Sequence, residues 1–366
     1  MNFPGLDFTW QSTHHAAHKL GIIRTWDLPQ CQQALHSQAK VLVVANTALG
    51  DTILCTPLLK ALSNHLGAQR VGFLVKKPYR ALYQHAPWIE SVYSTPGKYR
   101  GLNKLRQTLA HKNYRIALIA NCTEPDLIPW LYWCGIKGFL RYRTRWSRFP
   151  QWFANLHAMR PPGHPEYATG HAITNNLAMA RSLGIAAEDE TIELHTHEKN
   201  PYPITAPYFI IHPGASRPSK CWPTARWIHL AQRILHARPW RAVITGLQSE
   251  MHLTAPIAAA LGQRALDLSG RLSLPQLTTL IAQAQLFLSG DTGPYHIAVA
   301  TGCPTLTLFA PTDRGSSTEA CGPWAVDLRY HRVLQTKQFG DPIDTISLDA
   351  LWHQAQDLLD ALAQKP

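Results

Sequence analysis

The chain has no Cys-x-x-Cys pair, and its seven cysteines (Cys31, Cys55, Cys122, Cys134, Cys221, Cys303 and Cys321) are scattered along 366 residues. That spacing excludes a disulfide framework and a zinc knuckle, and it suits a reducing cytoplasm. No apolar run approaches the roughly 20 residues that span a bilayer. The longest apolar-aromatic stretch, Leu127–Ile136, is interrupted by Pro129. A start that carries Asp7 and a His cluster does not read as a secretory signal. Glycine-rich nucleotide fingerprints are missing too. There is no Gly-x-x-x-x-Gly-Lys-Ser/Thr loop, and the turn after the first strand pattern, Asn46–Asp51, is not Gly-x-Gly-x-x-Gly. Acidic residues are scarce: 23 against 35 Lys plus Arg, a net charge of +12, which favours an anionic partner. Charged residues make up only 16% and hydrophobic ones 45%, enough for a sizeable core. The length favours two domains.

Residues 1–39 form a Gln- and His-rich extension, with a helix expected over Trp26–Gln38 and no chemistry assigned. Strand and helix patterns then alternate over 40–192. They begin with the β-branched run Lys40–Ala45 and the amphipathic segment Thr52–Leu66. A polar stretch at 193–207, with Pro201, Pro203 and Pro207, reads as a linker. A second alternating set covers 208–340, and 341–366 contains a final amphipathic helix, Ser347–Gln364. Alternation of this kind predicts α/β architecture with parallel sheets covered on both faces.

Three turns that follow strand patterns can carry chemistry, because parallel sheets bind ligands at the carboxyl ends of their strands. In the first, Asn46–Asp51, the carboxylate of Asp51 either caps a helix or takes a proton from a hydroxyl, and Gly50 opens the backbone to a substrate. In the second, His212–Trp222, Gly214, Ser216 and Lys220 suit a diphosphate. In the third, Ser289–His296, Asp291 or Thr292 can cap the next helix, and Gly293 and Pro294 fit its start. The free N–H groups there would face a phosphate. Glu250, past another strand, either meets a ribose hydroxyl or caps its own helix. The stretch Gly138–Phe153 interleaves Arg141, Arg143, Arg145 and Arg148 with Tyr142, Trp146, Phe149 and Trp152. It reads either as a solvated basic face or as a surface for anionic lipid or sugar phosphate.

In this order the motifs resemble the ADP-heptose:lipopolysaccharide heptosyltransferases. Residues 49–59, Leu-Gly-Asp-Thr-Ile-Leu-Cys-Thr-Pro-Leu-Leu, resemble that family's Gly-Asp-x-x-x-x-x-Pro signature. His212–Pro223 resembles its Pro-Gly-(Ala)-Ser…Lys-x-Trp-Pro motif, and Ser269–Leu277 the segment leading into its sugar-nucleotide site. Gly290–His296 matches Asp-Thr-Gly-x-x-His, and Phe309-Ala-Pro-Thr312 resembles Phe-Gly-Pro-Thr, with Ala310 in place of glycine.

The resemblance implies a GT-B fold: two Rossmann-like doubly wound domains facing across a cleft, with the C-terminal helix returning to the first domain. It implies an inverting transfer of heptose from ADP-heptose to an inner-core lipopolysaccharide or related glycan, with no metal and no cofactor. Asp51 would be the general base, with Gly50 and Thr52 beside the acceptor. Lys220 and Ser216, with Gly214 and the amides of Thr292 and Gly293, would hold the diphosphate. Asp291, His296 and Glu250 would shape the donor site, and Arg141 and Arg143 would meet an anionic glycolipid. The expected location is the cytoplasm, with peripheral contact at the inner membrane and no nucleic-acid partner. The rivals are a transferase using another nucleotide sugar, a dinucleotide enzyme, a nucleic-acid binder suggested by +12, and a non-catalytic sugar-nucleotide binder.

Overall fold

The computed structural model describes residues 24–95, 102–122, 127–142, 170–195 and 198–364. The chain divides into two compact units, Met1–Glu190 and Thr191–Pro366.

The first unit is built on a five-stranded parallel sheet: β1 (Lys40–Asn46), β2 (Val71–Lys76), β3 (Ser91–Thr95), β4 (Tyr114–Cys122) and β5 (Gly138–Arg141). Their order is β3-β2-β1-β4-β5. β1 lies in the middle with both faces covered, and Val41 to Ala45 are each 0% exposed. This is why it reads as an unbroken apolar run rather than an alternating one. The chain leaves β1 toward β2 and β3, then returns to its other side as β4, so the strand order reverses between β1 and β4. The turn Asn46–Asp51 emerges at that switch point.

The second unit repeats the scheme with six parallel strands: β6 (Tyr208–His212), β7 (Arg241–Ile244), β8 (Ala265–Asp267), β9 (Leu286–Gly290), β10 (Thr305–Phe309) and β11 (His331–Gln335). Here the order is β11-β10-β9-β6-β7-β8, and the switch falls between β6 and β9, where His212 pairs with Ser289. The loops after β6 and β9 therefore start side by side. Below them Trp222 and Trp227 pack edge to face at 5.0 Å, both almost wholly buried.

Several expectations are corrected. The single helix predicted from Thr52 to Leu66 is two, Leu49–Ile53 and Thr56–Leu66. Pro57 has no N–H to give the Ile53 carbonyl, and the Thr56 hydroxyl donates to it instead at 2.9 Å. The last helix, Leu348–Ala363, buries Leu351, Ala355, Leu358 and Leu359 in the second unit's own core. Contacts just upstream fix its approach. Trp222 Nε1 and an Arg226 guanidinium N–H both donate to the Ile346 carbonyl, at 3.0 and 2.9 Å, and Arg233 pairs with Asp349 at 3.0 Å.

Finally, Gly138–Arg141 is not surface but strand, paired with Ile116–Ile119 of β4. Arg141 and Tyr142 are 4% and 8% exposed, so neither belongs to an exposed basic face. Arg143 and the rest of that stretch lie outside the described residues. Among the described residues no helix is long and apolar enough to cross a membrane.

Candidate active site

In the first unit, Asp51 lies in the first turn of the helix Leu49–Ile53, whose N-cap position is Ala48. It is therefore not the N-cap residue. Its Oδ2 accepts a hydrogen bond from the Thr47 hydroxyl at 2.9 Å, which fixes one side of the carboxylate. Neighbours register that charge: burial first and Asp51 second push the Cys55 thiol and the Tyr79 phenol above their ordinary ranges. Gly50 is buried. Thr52, expected to face substrate, is 0% exposed. Its hydroxyl donates to the Leu49 carbonyl at 2.7 Å and shares a second 2.7 Å hydrogen bond with Tyr83 Oη. Thr52 thus braces the turn, with its hydroxyl buried between Leu49 and Tyr83.

In the second unit, Lys220 Nζ lies 2.7 Å from Asp291 Oδ2, and the two side chains are only 15% and 14% exposed. This pair ties the loop after β6 to the loop after β9. The approach is close: a side chain at Gly290 would meet the Lys220 carbonyl at 3.2 Å. His296 Nε2 stands 4.0 Å from the other oxygen of Asp291. The helix Gly293–Ala300 begins here with Thr292 at its N-cap, yet Thr292 makes no side-chain capping bond. Asp291, the other expected cap, pairs with Lys220 instead. The first N–H groups of the helix have no intrahelical acceptor, and Pro294 has no N–H, so Gly293 and Tyr295 present theirs at the sheet edge.

Glu250 reaches across from the β7 loop. Its Oε2 accepts the Leu247 N–H at 2.7 Å, and its carboxylate fills the space where Gly214 would carry a Cβ. Gly214 thus admits the close approach of the Glu250 carboxylate and has no unusual backbone angle, and Glu250 both braces its own turn and touches the β6 loop. Ser216 is exposed on that loop.

Two groups at this edge were not singled out as site residues from the sequence. His212, at the end of β6, shares a 3.0 Å hydrogen bond with the Thr245 hydroxyl, and burial pushes its pKa down to about 4, so it is neutral. Tyr295 is fully buried, and its hydroxyl has no hydrogen-bond partner among the described residues. The Asp-Thr-Gly-x-x-His pattern leaves this position open and gave no signal for it. His212 was visible within its motif but looked like the end of a strand.

The site elements thus gather at two switch points: a braced carboxylate in one unit, and a cation with an uncapped helix start in the other. The family described as "Glycosyltransferase family 9 (heptosyltransferase)" matches residues 150–339, just over half of the chain. The chain belongs to this family.

As a glycosyltransferase of family 9, it is similar to Lipopolysaccharide heptosyltransferase 3 of Escherichia coli, at 25% identity over 307 residues, covering 76% of this chain and 87% of that one. Its fold is that of E. coli ADP-heptose lps heptosyltransferase II, with TM-score 0.70 and 18% identity over 89% of this chain and 99% of that one. It is also that of E. coli heptosyltransferase WaaC with ADP, with TM-score 0.67 and 19% identity over 89% and 100%. These are GT-B enzymes, and the two Rossmann-like units of the family 9 chain are that architecture.

Proposed function

We propose that this heptosyltransferase-family enzyme moves heptose from ADP-heptose to a hydroxyl of an inner-core lipopolysaccharide or related anionic glycan, in one displacement with inversion. The acceptor oxygen bonds to the anomeric carbon as the bond from that carbon to the diphosphate oxygen breaks. Asp51 takes the acceptor proton, held in place by Thr47. Negative charge grows on the departing diphosphate, and Lys220 with the helix start after Thr292 meets it. Ser216 and the Gly214 backbone complete the phosphate loop, and Glu250 takes a ribose hydroxyl. The observation that carries this reading is the Lys220–Asp291 pair beside an uncapped helix N-terminus at the β6/β9 switch point. A metal is not required in this scheme, because protein groups supply the neutralising charge. We place the enzyme in the cytoplasm, touching the inner membrane only peripherally through its lipid-borne acceptor.

The test is thermal stabilisation by ADP, ADP-heptose, and UDP- and GDP-sugars, on wild type, Lys220→Ala and Asp51→Ala. A ligand at 100 times its Kd adds about 2.7 kcal/mol to the native state. A shift selective for adenine nucleotides, lost in Lys220→Ala and kept in Asp51→Ala, is expected, with heptose transfer that survives EDTA. A shift with a different nucleotide would change the donor. No shift with any of them would overturn the proposal.

A further inference from the structure

We propose that arrival of a nucleotide diphosphate draws a proton onto His296, making an imidazolium that holds Asp291 in place beside the bound anion. The inference rests on the reading that the β6/β9 switch point holds the donor diphosphate.

In the structure, one cation and one anion balance: Lys220 Nζ and Asp291 Oδ2, 2.7 Å apart and largely buried. A diphosphate diester adds two negative charges to the same ammonium. Lys220 then serves three negative charges, and Asp291 remains within hydrogen-bond length of it. Burial denies water the chance to screen the excess. The Asp291 carboxylate already turns its second oxygen toward His296 Nε2 at 4.0 Å, and the His296 side chain is only 6% exposed. A proton on that imidazole supplies a second cation with little rearrangement.

Among the described residues, three elements packed on the helix of His296, Leu274–Ala282, β9 and β10, contain no ionisable side chain. Lys220 lies beyond Asp291. On its own helix, Tyr295 packs edge-on against it at 4.8 Å between ring centroids. Cys321, on the helix Thr318–Cys321, lies close to Tyr295. His296 is therefore a positioning residue. Once protonated, it steadies the Asp291 carboxylate, whose nearer oxygen is 4.0 Å away and which orients Lys220.

The sign follows from linkage. If binding raises the affinity of His296 for a proton, ligand affinity is greatest below the free-state pKa of that imidazole. It falls as pH rises, by up to about tenfold per pH unit, until the bound-state pKa is passed.

The test is calorimetric titration of the full chain near pH 7.5 with ADP-glucose, a diphosphate diester with no phosphate proton to exchange near neutrality, and in parallel with ADP. Each is run in phosphate and in Tris, whose ionisation heats differ. Proton uptake on binding is expected in wild type, with weaker binding and no uptake in His296→Gln. Asp291→Asn removes the charge that calls the proton in and is expected to lose uptake as well, which covers the case where His296→Gln does not fold. Equal binding heats in the two buffers, or uptake that persists in the variants, overturns the inference. If ADP alone binds, the difference in uptake between wild type and His296→Gln decides it. Failure of both ligands to bind removes the donor-site reading itself, an outcome distinct from binding without proton exchange.

Discussion

Replacing Lys220 with Ala should destabilise the second unit, and most of the loss should come from the partner left behind. The two charges are 2.7 Å apart in a setting only about one-seventh exposed. At an effective dielectric near 20 their attraction is about 6 kcal/mol before desolvation is subtracted. Desolvation offsets much of that, so the intact pair contributes little net stability, whereas breaking it strands a buried carboxylate at a cost of about 3 kcal/mol. For a unit spanning Thr191–Pro366 this corresponds to a fall of roughly 6–12 °C in melting midpoint. Lys220→Ala combined with Asp291→Asn removes the stranded charge as well and should recover about half of the loss. Tryptophan fluorescence reports on this unit, because Trp222 and Trp227 sit in its core. A double variant no more stable than Lys220→Ala alone would refute the argument, since the two side chains would then not be coupled.

Two further outcomes follow from the same geometry. His212 is buried and its pKa is lowered to about 4, against roughly 6.5 in an unfolded chain. Its contribution is therefore complete above pH 6.5 and is lost as pH falls toward 4, by up to about 3 kcal/mol. Urea midpoints measured across that window should fall less steeply for His212→Asn than for wild type, and parallel curves would count against it. Gly214→Ala should push the Glu250 carboxylate off the Leu247 N–H, which costs about 1 kcal/mol of stability and weakens adenine-nucleotide binding about tenfold. Unchanged nucleotide binding in that variant would remove Glu250 from the donor site.

Much of this was readable in the sequence because parallel sheets write themselves plainly. Lys40–Ala45 is apolar throughout since β1 is covered on both faces, and the turns after β1, β6 and β9 announced themselves through Gly, Asp, Lys and Pro. Features decided by tertiary packing were not readable. The amphipathic face of the last helix says that it packs but not where; the Ile346 and Asp349 contacts decide that. Arg141 looked like surface because arginine usually is, yet pairing with β4 buries it. Thr52 gave no sign of the hydrogen bond its hydroxyl shares with Tyr83, 31 positions later. β8 has three residues and β11 is half polar, too little pattern for either to be recognised. Pro57 did carry the signal for the broken helix, through its missing N–H, although the amphipathic pattern runs straight across it.

The central claim is that Asp51 takes the acceptor proton while the second unit holds the donor. Asp51→Asn tests it most directly, because an amide oxygen can still accept from Thr47 but cannot serve as a base. Heptose transfer and ADP-induced thermal stabilisation should be measured on the same preparation. A fall in kcat of about 10²–10⁴ with the ADP shift unchanged is the predicted result. Transfer within about threefold of wild type, or loss of the ADP shift along with activity, would contradict the account.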